Sequence, residues 1–150
     1  MATTATQAHI ATSRRVLDEA FGEGSLDVVD EVCLGDYVDH DPVLGDQDRE
    51  GVKHAIASYR AAFPDLAFTV EDAFAADDTV VLRWSAEGTF ENEFMGQQPT
   101  HEKGNPVHGI GIDRFDENGK IAESWGVIDV LSLLQQLGVV PAPGGEPSTV

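Results

Sequence analysis

The hydrophobic period of this chain changes once, and the change falls at Pro64. Before it, apolar residues recur at helical spacing. Ile10, Leu17, Ala20 and Phe21 share one face, and Val52, Ile56, Tyr59 and Phe63 share another. From residue 67 the period is two: Phe68, Val70, Asp72 and Phe74 alternate with Ala67, Thr69, Glu71 and Ala73. Helices first and strands afterwards predict an α+β fold with an antiparallel meander, because a parallel sheet would need helices between its strands. A strongly bent sheet packed on helices leaves a cone, and such concavities take ligands.

Local signals place the boundaries. Gly22 and Gly24 end the first helix, and Ser25 can cap a second carrying Leu26, Val29, Val32 and Cys33. Residues 34–47 read as a loop between helices. Asp48 can cap the third helix, and Pro64 stops it. Asp77-Asp78 turns into Thr79–Gly88, which is rich in β-formers. Phe90–Phe94 reads as a short strand, followed by a loop over Met95–Pro106. Val107–Phe115 and Lys120–Val127 flank Asn118-Gly119, a strong hairpin signal. Asp129 can cap a closing helix over Val130–Leu137, with Gly138 in the terminating position. Residues 1–8 and the Pro- and Gly-rich residues 139–150 read as flexible tails on a domain at 9–138.

Charge excludes two classes of partner. The 150 residues carry 27 acidic and 9 basic side chains, a net charge of −18. Nucleic acid requires a basic face that displaces counterions, and an anionic membrane surface repels an acidic protein. No apolar run reaches membrane-spanning length and no signal-like segment opens the chain, so it reads as cytoplasmic. Cys33 is the single cysteine, and the five histidines show no HxH or HExxH spacing, so no metal site is expected.

Small residues mark the expected pocket. Gly109, Gly111, Ser124 and Gly126 share one parity on neighbouring strands and should leave room for a ligand. Trp84 shares a strand face with Leu82 and Ala86, as packing or as a pocket wall. His108 lies on a face with Ile110 and Ile112, as a core histidine or a site residue. Glu123 and Trp125 share a parity with Ile121 and Val127. Asp129 is either a helix cap or a carboxylate at the cavity mouth. Asp39-His40-Asp41-Pro42 is either a self-capping loop or a base with an adjacent proton relay.

Six segments, in order, resemble the SnoaL-like polyketide cyclase and ester cyclase family. They are Asp36–Pro42, Glu50–Lys53, Ala62–Asp65, Phe94–Thr100, Gly119–Ile121 with Glu123-Ser124-Trp125, and Leu134–Gly138, together covering about residues 9–138. The resemblance implies a cone-shaped NTF2-like fold, a homodimer formed through the outer sheet face with help from Phe90–Phe94, and no metal or cofactor. It also implies acid/base cyclisation of a polyketide-like or other apolar oxygenated molecule, with isomerase and hydrolase chemistry as relatives. The family's strand aspartate falls on Gly126, which points acid/base work to Asp39, His40 and Asp129, or to a pocket that only binds. Tyr37, Trp84, Phe94, Met95, His108, Ser124, Trp125 and Gly126 are the expected ligand contacts. The Asp–Arg–Asp triad of limonene-epoxide hydrolases is not matched, since Asp113 and Arg114 are adjacent and face oppositely on a strand.

Overall fold

A computed structural model describes residues 4–141 and 144. Helix α1 (Thr4–Arg15) runs into a π-helical segment (Val16–Phe21) and then α2 (Asp27–Val32). Strands β1 (Cys33–Asp41) and β2 (Gly45–Gln47) follow, then α3 (Arg49–Ala62). The second half is β3 (Ala67–Ala76), β4 (Thr79–Glu87), β5 (Val107–Phe115), β6 (Ile121–Ile128) and α4 (Val130–Leu137). The six strands form one curved sheet in the order β2-β1-β6-β5-β4-β3. Every neighbouring pair is antiparallel except β1 and β6. The α+β expectation holds.

One core joins the layers. Leu17 and Ala20 from the π-helical segment, Val29 from α2 and Ile56 from α3 meet Val80, Leu82, Phe115 and Ile121 of the sheet. A smaller cluster of Ala62, Phe90 and Leu137 seats α4 and the 88–106 loop against the end of α3. The termini of these elements follow their capping chemistry. Asp48 accepts from Gly51 N at 2.8 Å at the start of α3. Gly138 ends α4 with a φ of 81°. Asp116 ties the β5–β6 turn by accepting from Asn118 N and Lys120 N.

Several expectations are corrected. Residues 4–8 are the first turns of α1, not a tail. Leu26, not Ser25, stands at the N-cap position of α2, without a side-chain capping bond, and Cys33 opens β1. Residues 34–47 are not a loop between helices but mostly the β1–β2 hairpin. The strand was hidden because its inward positions carry carboxylates that face a cavity, which breaks the hydrophobic alternation. Phe90–Phe94 is not a strand: Phe94 makes an isolated bridge to Gln97, and Phe90 is 3% exposed in the smaller core. A bulge after Val70 reverses parity in β3: Phe68 and Val70 point inward, whereas Phe74 is turned out. A similar shift between Arg114 and Phe115 puts Ile121 in the core, on the opposite side from Glu123. Of the expected tails, residues 1–3, 142–143 and 145–150 lie outside the described residues.

Candidate active site

Between the sheet and the helices lies a cavity of about 840 Å³, within the usual range for a small-molecule pocket. Its walls are apolar and aromatic. Phe21 packs on Phe68, and Phe68 on Trp84, each at 5.0 Å between ring centres. Tyr59 packs on Phe94, and Phe63 on Phe90, along the other wall. Val43, Leu44 and Met95 stand exposed at the rim.

On the sheet, three polar side chains that face the cavity form one cross-strand row. Asp39 on β1 pairs with Ser124 on β6, and Ser124 pairs with Asp113 on β5. All three line the cavity, with Tyr37 two residues before Asp39 on the same strand face. Ser124 Oγ donates to Asp113 Oδ1 at 2.6 Å. Ser13 of α1, wholly buried, faces Asp113 from the helix side, and its hydroxyl makes no well-formed hydrogen bond.

Burial governs the ionisation of this row. Desolvation, reinforced by the charge of Asp41, pushes Asp39 up to about 6, and a charge on Asp113 would add to that push. Asp113 is also raised by desolvation, against the opposing pull of the Ser124 and Ser13 hydroxyls. Tyr37 is raised too, mainly by burial, and stays a neutral donor. Among the described residues, neither Asp39 nor Asp113 forms an ion pair with Lys or Arg. Two desolvated carboxylates with no Lys or Arg paired to them either hold a proton or take one from a ligand.

Next to this row the floor is bare. Gly111 pairs with Gly126, and a Cβ built on either would meet nothing closer than 3.8 Å. Gly109 differs: its Cβ would lie 2.2 Å from the Trp84 ring, which lies flat over that strand. Gly111, Ser124 and Gly126 therefore open onto the cavity, while the space above Gly109 is filled.

The expected site residues divide by strand parity. Tyr37, Asp39, Trp84, Phe94, Met95, Ser124 and Gly126 border the cavity. His40 does not share Asp39's side. The two residues lie on a strand, so they diverge, and His40 bonds Asp46 and Glu123 on the outer face. The expected convergence of Asp39 and His40 in a loop is thus overturned. Trp125 turns its ring outward onto His40 at 5.1 Å and presents its backbone carbonyl near Gly111. His108 is exposed on the outer face, because the inward parity of β5 belongs to Gly109, Gly111 and Asp113. Asp129 caps α4, accepting from Ser132 N at 3.1 Å, and lies outside the cavity lining.

Asp113 is the residue that sequence reading passed over as a site group. The signal was present: the parity that puts Gly109 and Gly111 inward puts Asp113 inward as well.

Comparison with known proteins bears on the fold and the family. The family model of the SnoaL-like polyketide cyclases matches residues 11–137. No curated protein matches the chain in sequence. Among solved structures, IdmH, a candidate polyketide cyclase from Streptomyces antibioticus, is 32% identical with a TM-score of 0.76. That alignment covers 87% of this chain and 98% of IdmH. AclR, a candidate hydroxylase from Streptomyces galilaeus, is 28% identical with a TM-score of 0.81, over 91% of this chain and 99% of AclR. A Catenulispora acidiphila protein of ketosteroid isomerase-like fold shares the fold at 17% identity and a TM-score of 0.67, over 85% and 92% of the two chains. With its helices on a curved sheet, and with the family pattern running through most of its length, this chain belongs to the SnoaL-like polyketide cyclase family.

Proposed function

We propose that the protein is a cofactor-free cyclase that closes a ring in a polyketide-like or other apolar oxygenated molecule by an intramolecular aldol reaction. The observation that carries this reading is the desolvated Asp39–Ser124–Asp113 row on the floor of a mainly apolar cavity. Asp39, ionised above about pH 6, removes a proton from a carbon flanked by carbonyl groups. The enolate carbon attacks a second carbonyl of the same molecule, forming one C–C bond, and the resulting alkoxide takes up the proton. Asp113, protonated and oriented by Ser124, donates to the oxygen on which charge develops. Tyr37 is a second donor on the same floor.

The test is incubation with aryl-substituted 1,3-diketones and β-keto esters that carry a second carbonyl, with products followed by mass spectrometry and NMR. Ring-closed products lost in both Asp39→Asn and Asp113→Asn support the assignment. The rate should rise with pH through an apparent midpoint near 6, as Asp39 loses its proton, and Asp39→Asn should abolish that limb. A rate independent of pH between about 5 and 7 overturns Asp39 as the base.

Gly126 favours a second reading, a pocket that binds without chemistry, because it stands where the family resemblance calls for an aspartate. Tight binding of such diketones with no turnover at any pH would select it.

A homodimer through the outer sheet face is part of the proposal. Phe74, Val81, Ile112 and Trp125 form one cross-strand row there, and Ile110 pairs with Val127 beside it. Phe74, Ile110, Trp125 and Val127 are all exposed in the single chain. Light scattering should give twice the 16.1 kDa chain mass, and Ile110→Asp with Val127→Asp should return it to one chain. A wild type of single-chain mass at micromolar concentration overturns the dimer.

A further inference from the structure

We infer that His40 is a positioning residue: as a doubly protonated imidazolium it straps the β1–β2 hairpin to β6 from behind and thereby sets the place of Asp39 on the cavity floor. The consequence for chemistry rests on the acid/base reading of Asp39; the strap itself does not.

His40 Nδ1 lies 3.0 Å from Asp46 Oδ1 on β2, and Nε2 lies 2.9 Å from Glu123 Oε2 on β6. An ionised carboxylate only accepts, and a neutral imidazole has a single N–H. Neutral His40 could therefore satisfy one of these contacts, while its ring lone pair faced the other carboxylate. Only the imidazolium satisfies both. Glu123 is itself held ionised, because it also receives Arg114 Nε at 2.7 Å, and its carboxyl is lowered by His40 first and by Arg114 second. Asp46 is well exposed to solvent. The Trp125 ring covers one face of the imidazole. The charged groups around His40 are thus Asp46, Glu123 and, through Glu123, Arg114, with Asp39 and Asp41 as chain neighbours.

Topology makes this strap consequential. The parallel β1–β6 pairing is irregular after Cys33 and regains register only at Val38, Asp39 and His40. β2 is three residues long and forms the sheet edge. Among the described residues, no other ion pair joins β1 or β2 to β6. Asp39 lies between the residue paired with Glu123 and the residue that binds it, so a shift of His40 moves Asp39 relative to Ser124.

The sign follows. Hydrogen bonds to Glu123 and Asp46 raise His40 above its ordinary value. The strap is fully formed below the ordinary imidazole midpoint of about 6.5 and is lost as pH rises through His40's own, higher midpoint. At that point β1 loosens, and Asp39 loses the nearby cation that favours its ionised form.

The experiment uses the whole chain, labelled with 15N and with 13C in Asp carboxyls, and no substrate. At neutral pH both ring nitrogens of His40 should carry protons. The Asp39 carboxyl signal should move twice in a titration, once with its own proton and once with His40. His40→Gln should erase the second step and lower hydrogen-exchange protection at amides 38–40 about tenfold. His40→Arg, a permanent cation, should restore protection and show no second step. A singly protonated ring at neutral pH, or an Asp39 signal and exchange rates unmoved by His40→Gln, overturns the inference. If His40→Gln fails to fold, the wild-type ring-nitrogen titration decides alone. Because turnover is not read, a chain with no cyclase activity defeats the catalytic proposal and leaves this one standing.

Discussion

Asp113→Asn should lower turnover of an aldol-type substrate by about 10²- to 10⁴-fold with little loss of stability. Asn keeps the shape and can still accept from Ser124, whose hydroxyl lies 2.6 Å from Asp113 Oδ1. What it lacks is the acidic proton. The stability half of the prediction has its own sign. Desolvation raises Asp113, so the folded chain binds that proton more tightly than the unfolded chain does. The wild type is then favoured below about pH 3.9 and progressively penalised as pH rises towards the folded-state value. Asp113→Asn removes the penalty, so its melting temperature at pH 7 should equal or exceed that of the wild type. Large loss of rate without loss of stability is the mark of a group kept for chemistry. A variant that unfolds at pH 7, or one that turns over normally, contradicts the assignment.

Phe115→Ala is expected to be the opposite kind of variant, costing about 3–5 kcal/mol of folding free energy. Phe115 is 1% exposed, the largest of the fully buried side chains, and His9 of α1 stacks on it at 4.3 Å. Deleting the ring leaves a cavity where His9 of α1 stacks on the sheet. Denaturant unfolding should show a lower midpoint with an unchanged slope. A cost below about 1 kcal/mol would mean that α1 can collapse onto the sheet and that the core is less tightly specified than its burial indicates.

These two variants separate what sequence could reveal from what it could not. α3 was legible because Val52, Ile56, Tyr59 and Phe63 repeat over a helix capped by Asp48 and stopped before Pro64. The β5–β6 hairpin was legible for an equally local reason, its Asn118-Gly119 turn with Gly119 at a φ of 79°. β1 was not, because a strand that borders a cavity carries polar residues inward, and its hydrophobic pattern dissolves where function begins. Reading it as a loop made Asp39 and His40 neighbours in space; as a strand it sets them on opposite faces. The bulges in β3 and between β5 and β6 add single residues that no periodicity announces, so side assignments fail for Phe74 and Ile121. Asp113 was within reach of parity alone, since it shares the inward side of β5 with Gly109 and Gly111.

Gly126 has a meaning for how such proteins change. A side chain introduced at Gly126 would project into free volume, with its Cβ 3.8 Å from the nearest atom, whereas one at Gly109 would strike the Trp84 ring. The scaffold therefore places no veto on position 126. Reactive groups can be gained or lost there in single steps, while the residues that specify the fold, such as Phe115 and Ile121, lie elsewhere and remain untouched. Position 126 can thus change without touching the buried core, so a lineage can pass through a form with glycine there and keep a folded cavity throughout.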